Sequence, residues 1–411
     1  MGMLHLVENL SDNDDLIDWL IVGGGIHGVH LAVRLLGEAN VAPERLRIVD
    51  PGTRLLERWR RCTETVGMTH LRSPSVHHLD LNPWSLHKAA GEREYRERSL
   101  FAPPFDRPAL EFFNTHCDRV IDDFGLRDLH IRARAVECSI DCNSVRVRLS
   151  TGRELVADKV ILALGASEQP AWPEWAPEGN EHIHHIFEAD FDGWPSLPEE
   201  VIVVGGGISA AQLALKLAAQ EHRVHLVSRH GLREHQFDSD PGWLGPRLMN
   251  HFQRERDADC RRALITEARH RGSVPPDVHR ALQHAMKTGG LWWHETEVAG
   301  FESIDGGARV SLGSGERIRA DRVLLATGFD TTRPGGDMVD QLIANEALAC
   351  AKCGYPIVDH HLAWHPQVYV SGPLAELELG PSSRNIHGAR RAGDRLVKVA
   401  NNGTSKTPLS A

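Results

Sequence analysis

The residues best suited to chemistry come in two matched sets. Residues 22–26 read Val-Gly-Gly-Gly-Ile, and residues 204–208 repeat the string. The spacing is Gly23-x-Gly25-x-x-Gly28 in the first copy and Gly205-x-Gly207-x-x-Ala210 in the second. A glycine turn that opens a helix lets backbone N–H groups reach a pyrophosphate, which the positive end of the helix dipole also attracts. Beyond the turns the two sets differ in charge. After the first copy an apolar run, Leu46 to Val49, ends in Asp50, whose carboxylate can accept hydrogen bonds from an adenosine ribose, as in sites for FAD or NAD. After the second, Arg223 to Val227 ends in Ser228-Arg229-His230. Arginine there offers a planar, bidentate partner for a 2′-phosphate. The reading is FAD in the first site, held by Gly23, Gly25, Ile26, His27, Gly28 and Asp50. NADPH follows in the second, held by Gly205, Gly207, Ile208, Ser209, Ala210 and Arg229.

The elements that must position these residues can be read around them. Each turn follows a short apolar run (Trp19 to Val22, Val201 to Val204) and precedes helical patterning. A longer repeat sets residues 136–165 parallel to residues 298–328. Both alternate like strands, turn at a glycine, and pass through Ala-Asp-(Lys/Arg)-Val into an apolar strand. Val136 and Gly165 thereby join the FAD set, and Thr327 and Gly328 the NADPH set. The predicted fold class is α/β, with two dinucleotide-binding, Rossmann-like, three-layer domains. The NADPH domain (196–325, with a helical insertion at about 237–290) interrupts an FAD domain built from 1–195 and 326–411.

The chain has 411 residues, 41% of them hydrophobic, a net charge of −10 and no apolar run of membrane-spanning length. This predicts a soluble, cytoplasmic globular protein that binds neither nucleic acid nor membrane. Residues 1–15 are acidic and lack a signal-peptide pattern, and the polar tail 401–411 is expected to be disordered. The seven cysteines suggest no disulfide framework. Cys350 and Cys353 read as loop residues before a strand-like Ile357-Val358, in preference to a redox pair or a zinc site with His360 and His361. His182, His184 and His185 read as linker histidines, and no metal site is expected.

Residues 59–86 form a Pro- and His-rich stretch without clear period. His70, Arg72 and Ser73 within it are the polar groups expected near an isoalloxazine, against the blander reading of side chains satisfying backbone carbonyls. The insertion is charged and helical from Arg254 to Arg271, most simply as a solvated face. Trp243 and Leu244 either cover the active site or pack in a core. Near the C-terminus a strand ends at Gly372, and Gly380-Pro381 leads to an amphipathic helix over residues 385–399. The dipole of such a helix, pointed at a flavin, stabilises the reduced ring.

The paired glycine motifs, the closing Ala326-Thr327-Gly328-Phe329 and the Gly372 segment resemble class B flavoprotein monooxygenases. Within them the chain is most similar to the lysine/ornithine N-hydroxylase branch, whose closing motif is Ala-Thr-Gly-Tyr. The stretch from Trp59 to Met68 resembles that branch's flavin-contacting loop. Two departures stand out. Residues 179–187 do not reproduce the Phe-x-Gly-x-x-x-His-x-x-x-(Phe/Trp) fingerprint, and residues 70–81 do not reproduce the hydroxylases' substrate loop. The resemblance implies that NADPH reduces FAD and that O2 then gives a flavin hydroperoxide. That species oxygenates a soft nucleophile, foremost the amine nitrogen of an amino acid or small amine, with sulfur compounds also open. The alternatives are a flavin reductase or dehydrogenase, with Cys350 and Cys353 as a thiol relay, and a non-catalytic redox sensor.

Overall fold

The computed structural model describes residues 17–96 and 100–404, so the acidic start and the tail beyond Thr404 lie outside the described residues. In chain order the first unit comprises β1 (Ile17–Val22), α1 (Ile26–Gly37), β2 (Leu46–Asp50), α2 (Glu57–Val66) and α3 (Ser85–Arg96). It continues with β3 (Phe101–Ala102), β4 (Arg107–Pro108), α4 (Leu110–Asp123), β5 (His130–Arg132), β6 (Ala135–Ile140), β7 (Val145–Leu149) and β8 (Glu154–Leu162). The second unit contains β9 (Ile183–His185), β10 (Glu200–Val204), α5 (Ile208–Ala219), β11 (Arg223–Ser228) and β12 (Arg233–Glu234). Then come α6 (Pro246–Arg254), α7 (Ala258–Ala268), β13 (Ser273–Val274), α8 (Pro276–Thr288) and β14 (Leu291–Glu295). A meander of β15 (Val298–Ile304), β16 (Gly307–Leu312) and β17 (Arg317–Ala320) leads into β18 (Arg322–Leu325). The chain closes with α9 (Gly336–Glu346), β19 (Ala363–His365), β20 (Val368–Val370), α10 (Glu376–Leu379) and α11 (Ile386–Thr404).

Two sheets organise these elements. The first runs β19-β20-β8-β1-β2-β5, with β7 and β6 continuing from β8. The second is five-stranded, β14-β11-β10-β18-β9, and parallel throughout. β1 and β10 are near-continuous apolar runs because each is a central parallel strand covered on both faces. Strand alternation divides the second core. Val201 and Val203 face Ala210, Leu213, Leu217 and Leu282 of α5 and α8, while Ile202 and Val204 face Ala308, Val310 and Ile318 of the meander. The result is helices, sheet and meander in three layers, and β20 returns the chain to the first sheet beside β8.

Several local expectations are corrected. The stretch from Trp59 is not irregular at its start, because α2 carries it to Val66. Trp59, Cys62, Thr63 and Val66 form its inward stripe, masked in sequence by three arginines. His185 is fully buried in β9, which pairs with β18, so His184 and His185 belong to an edge strand and not a linker, with His182 in the turn before it. Residues 357–358 form no strand: Cys350 and Pro356 bridge a tight turn, and Ile357 is exposed. α11 runs on to Thr404 and so takes in residues expected to be disordered. None of the described helices is long and apolar enough to cross a membrane.

Candidate functional site

The two glycine turns are built alike. Gly23 N donates to Val49 O (2.8 Å) and Gly205 N to Val227 O (2.9 Å), while Ala163 N and Ala326 N donate to Val22 O and Val204 O. Gly23 has φ +116°, and a Cβ there would lie 2.5 Å from Ala163 O. A Cβ on Gly28 would lie 1.7 Å from Gly23 O, so only glycine lets α1 approach the strand this closely. The second helix sits slightly farther out, and Ala210 fills the gap with a buried methyl. Gly25 and Gly207 begin α1 and α5 with no side-chain cap and no acid in the first turn. The N–H groups around Ile26, His27, Ile208 and Ser209 therefore face outward without an internal anion. Nothing lies within 4 Å of a Cβ position on Gly25, and for Gly207 only the Gly272 Cα at 3.6 Å. These are two open cradles of the kind a pyrophosphate requires.

Charge distinguishes them. Asp50 Oδ2 accepts from Gly24 N (2.7 Å) and Oδ1 from Gly52 N (2.8 Å), which fixes a carboxylate against the first turn. Val22 pairs with Val49 and Val204 with Val227, so Ser228 holds the place of Asp50 and Arg229 lies one residue beyond. The Ser228 hydroxyl donates to His230 O and accepts from Trp293 Nε1, both at 2.9 Å. Arg229 is exposed and makes no hydrogen bond or ion pair among the described residues.

The C-terminal segment lies across the start of α1. His27 Nδ1 is 2.8 Å from Ser371 Oγ, a Cβ on Gly372 (φ +66°) would lie 3.7 Å from the same ring, and Ser383 Oγ donates to Gly372 O at 2.6 Å. Gly380 packs against Met249, buried Pro381 follows, and Asn385 Oδ1 caps α11 through Gly388 N (3.0 Å). Burial lowers His27 and His77 to about 4 and His387 to about 3, so all three imidazoles are neutral near pH 7. Ser382 Oγ and His387 Nε2 are buried without a partner among the described residues. Together with the uncapped helix and Asp50, these atoms fit a flavin dinucleotide.

The remaining predicted residues scatter. Arg72 Nε donates to Gln236 O (2.8 Å), and Nη2 donates to His235 O (2.7 Å), Phe237 O (2.8 Å) and Ser273 Oγ (2.9 Å). Its guanidinium thus clamps β12 and β13, which flank the second turn. His70 bridges to Ala109 with Nδ1 3.3 Å from Thr69 Oγ1, and Ser73 is half-buried. Trp59 Nε1 donates to Asn114 Oδ1 (3.2 Å), and Met68 packs between the cores of the two units. Val136 is half-buried on β6, and Gly165 lies just past β8, near Ser167. Thr327 Oγ1 donates to Ala171 O (2.6 Å), and Gly328 O accepts from Ala171 N (3.0 Å).

Two groups of charged residues escaped the sequence reading. On α2, Arg58 donates to Ser167 O and Phe187 O, Arg61 to the carbonyls of residues 188, 189 and 191, and Arg60 to Asp118. The bonds of Arg58 and Arg61 fasten the connection that leads from the first unit into the second. The charges from Arg254 to Arg271 are only in part a solvated face: Glu267 and Arg271 are exposed, whereas three arginines turn inward. Arg261 pairs with Glu378, while Arg262 and Arg269 reach the fully buried Glu376, which Arg384 also holds. Trp243 packs beneath them with Phe252 and Tyr355 as core. The sequence signal was available in Glu376-x-Glu378, two acids in an otherwise apolar run.

A model of the pyridine nucleotide-disulphide oxidoreductases matches residues 17–393. No curated protein matches the chain in sequence. Among solved structures, the chain is similar to the ornithine N-hydroxylase of Kutzneria sp. 744, in complex with reduced FAD, NADP+ and L-ornithine (18% identity, TM-score 0.75, 95% of this chain and 100% of that one). It is similar also to the cadaverine monooxygenase of Erwinia amylovora bound to FAD (16%, TM-score 0.72, 96% of each chain). A third is the bacillithiol disulfide reductase of Bacillus cereus (15%, TM-score 0.61, 94% of this chain and 99% of that one). With two equivalent nucleotide cradles and a family match over nearly its whole length, the chain belongs to the pyridine nucleotide-disulphide oxidoreductase family.

Proposed function

We propose that the chain is an FAD- and NADPH-dependent monooxygenase that oxygenates a soft nucleophile, foremost the nitrogen of an amine or amino acid. The observation that carries this reading is the pair of equivalent turns ending in opposite charge, Asp50 in one and Arg229 in the other. The overall likeness to an ornithine and a cadaverine hydroxylase supports it. The start of α1 would take the FAD pyrophosphate, with Asp50 accepting from the ribose. Ser382 and His387 would turn their unpartnered polar atoms to the flavin. The start of α5 would take the NADPH pyrophosphate, and Arg229 its 2′-phosphate. Bound there, the cofactors supply hydride transfer and reduction of O2, with one oxygen atom passing to the nucleophile and the other to water. Arg58 and Arg61 of α2 hold the connection between the units in place.

The test is incubation of flavin-loaded protein with NADPH, 18O2 and a panel of diamines and amino acids, followed by mass spectrometry. Incorporation of one labelled oxygen into an amine is expected. NADPH consumption matched entirely by H2O2, with no labelled product from any amine, overturns the proposal. The likeness to a disulfide reductase favours electron transfer to a disulfide as the second reading. Against it, burial raises the Cys350 thiol, the opposite of what a thiolate relay needs.

A further inference from the structure

The two helix starts differ at one position inside the motif. Between Gly25 and Gly28 the first carries Ile26-His27, whereas between Gly207 and Ala210 the second carries Ile208-Ser209. A serine suffices to build the second turn, so the turn itself does not call for an imidazole. What the first turn has beside it is the C-terminal segment. His27 Nδ1 is 2.8 Å from Ser371 Oγ, just past β20, and both residues are buried. Gly372 (φ +66°) bends the chain against the ring, where a Cβ would lie 3.7 to 3.8 Å from three of its atoms. The ring also faces the backbone of Arg384 and Asn385, at the start of α11. From this point α1 and α11 run side by side in the same direction. About two turns along α1, Arg34 donates to Arg390 O (3.4 Å) and to Asp394 Oδ1 (2.8 Å) of α11. One imidazole thus sits between two helix N-termini and fastens them to a strand end. Burial lowers its pKa to about 4, so near pH 7 it adds no charge to two positive dipole ends.

We propose that His27 is a positioning residue for the flavin, locking the start of α11 to the start of α1 through Ser371. This rests on the reading of the first turn as the FAD site. The start of α1 would meet the pyrophosphate, and the start of α11 the ring. Negative charge gained by the ring on reduction is stabilised only as far as that second N-terminus is held close, because the effect of a helix end falls off within about one turn. A small retreat of α11 therefore registers on the reduced flavin more than on the oxidised one. The bond between His27 and Ser371, both out of water, is the tie nearest that end, and the Arg34–Asp394 pair holds the two helices farther along.

The experiment measures the midpoint potential of the bound flavin against a reference dye, together with FAD affinity and urea unfolding of the flavin-free protein. His27→Leu roughly keeps the volume and removes the bond to Ser371. Its preference for reduced over oxidised flavin should fall about tenfold, which is about 30 mV toward more negative potential for a two-electron couple. Ser371→Ala, which takes away only the hydroxyl, should shift the potential in the same direction and by a similar amount. His27→Asn, whose amide reaches the place of Nδ1, should stay within about threefold of the natural protein. If His27→Leu does not retain flavin, the potential of Ser371→Ala decides. A flavin-loaded His27→Leu or Ser371→Ala protein at unchanged potential, or His27→Asn shifted as far as His27→Leu, overturns the role of His27 and leaves the FAD site standing. A natural protein that binds no FAD overturns the site and the role together.

Discussion

Glu376 offers a demanding test of the charged network. Its carboxylate is fully buried and accepts from Arg262 Nη1, from Arg269 Nη2 (3.1 Å) and from Arg384 Nε and Nη2 (2.7 and 2.9 Å). Burial alone would raise its pKa. The hydrogen bonds and charge of Arg384, with the charges of Arg269 and Arg262, more than offset this and bring it down from 4.5 to about 2. Because the folded pKa lies below the unfolded one, the contribution is complete above pH 4.5 and is lost as pH falls from there toward 2. A shift of that size corresponds to about 3 kcal/mol. Glu376→Gln leaves three guanidinium groups facing one another without their anion, so a loss of about 3–5 kcal/mol is expected at pH 7. The assay is urea unfolding of both proteins at a series of pH values from 7 to 3. The gap between them should be widest at neutral pH and close as Glu376 protonates. A cost below about 1 kcal/mol at pH 7, or a gap independent of pH, refutes the reasoning. Flavin retention should fall in the variant as well, because Arg269 also donates to Pro381 O.

Other substitutions separate folding from binding. Gly28→Ala places a methyl 1.7 Å from Gly23 O and should destabilise the fold by about 3 kcal/mol in denaturant unfolding. Gly25→Ala adds a methyl to open space at φ −78°, so the melting temperature of flavin-free protein should hold or rise while FAD content after purification drops. Full FAD retention in that variant would contradict the pyrophosphate assignment. Arg229→Ala should raise the KM for NADPH far more than that for NADH, and equal effects would remove the 2′-phosphate assignment. Arg72→Ala strips four acceptors of their donor and should cost about 3 kcal/mol, with a raised NADPH KM from loosened β12 and β13. If NADPH kinetics stay unchanged while flavin binding is lost, Arg72 belongs to the flavin site instead.

What could be read from the sequence was what neighbours along the chain determine. The glycine turns, the alternating meanders and the charge at the end of β2 or β11 are each encoded within a few dozen residues, and their duplication made them conspicuous. The partners of charged side chains are not encoded that way. Arg262 and Glu376 lie 114 positions apart, so α7 looked like an ordinary solvated helix, and the bonds of Arg58 and Arg61 span 109 to 130 positions. His185 looked polar and exposed until β18 paired with its strand. Arg72 stands out in the sequence as a polar group expected near an isoalloxazine, yet the bonds it makes go to carbonyls of the other unit, as in the blander reading. Periodicity reports which face is buried and is silent on which distant group a cation will meet.

α2 deserves a last consideration as a component shared between the units. By sequence it belongs with the first glycine turn, yet Val66 is part of the second core, Cys62 and Met68 pack against it, and Lys216 of α5 donates to Glu64 O at its end. Cutting the second unit out as an independent piece would leave a hole in its hydrophobic interior and strand the arginines that grip the connection leading into it. The two nucleotide cradles should therefore melt in a single cooperative transition, and neither half is a module that can be exchanged without its neighbour's helix. Any traffic between the cradles would then cross a seam that a single helix already fills from both sides.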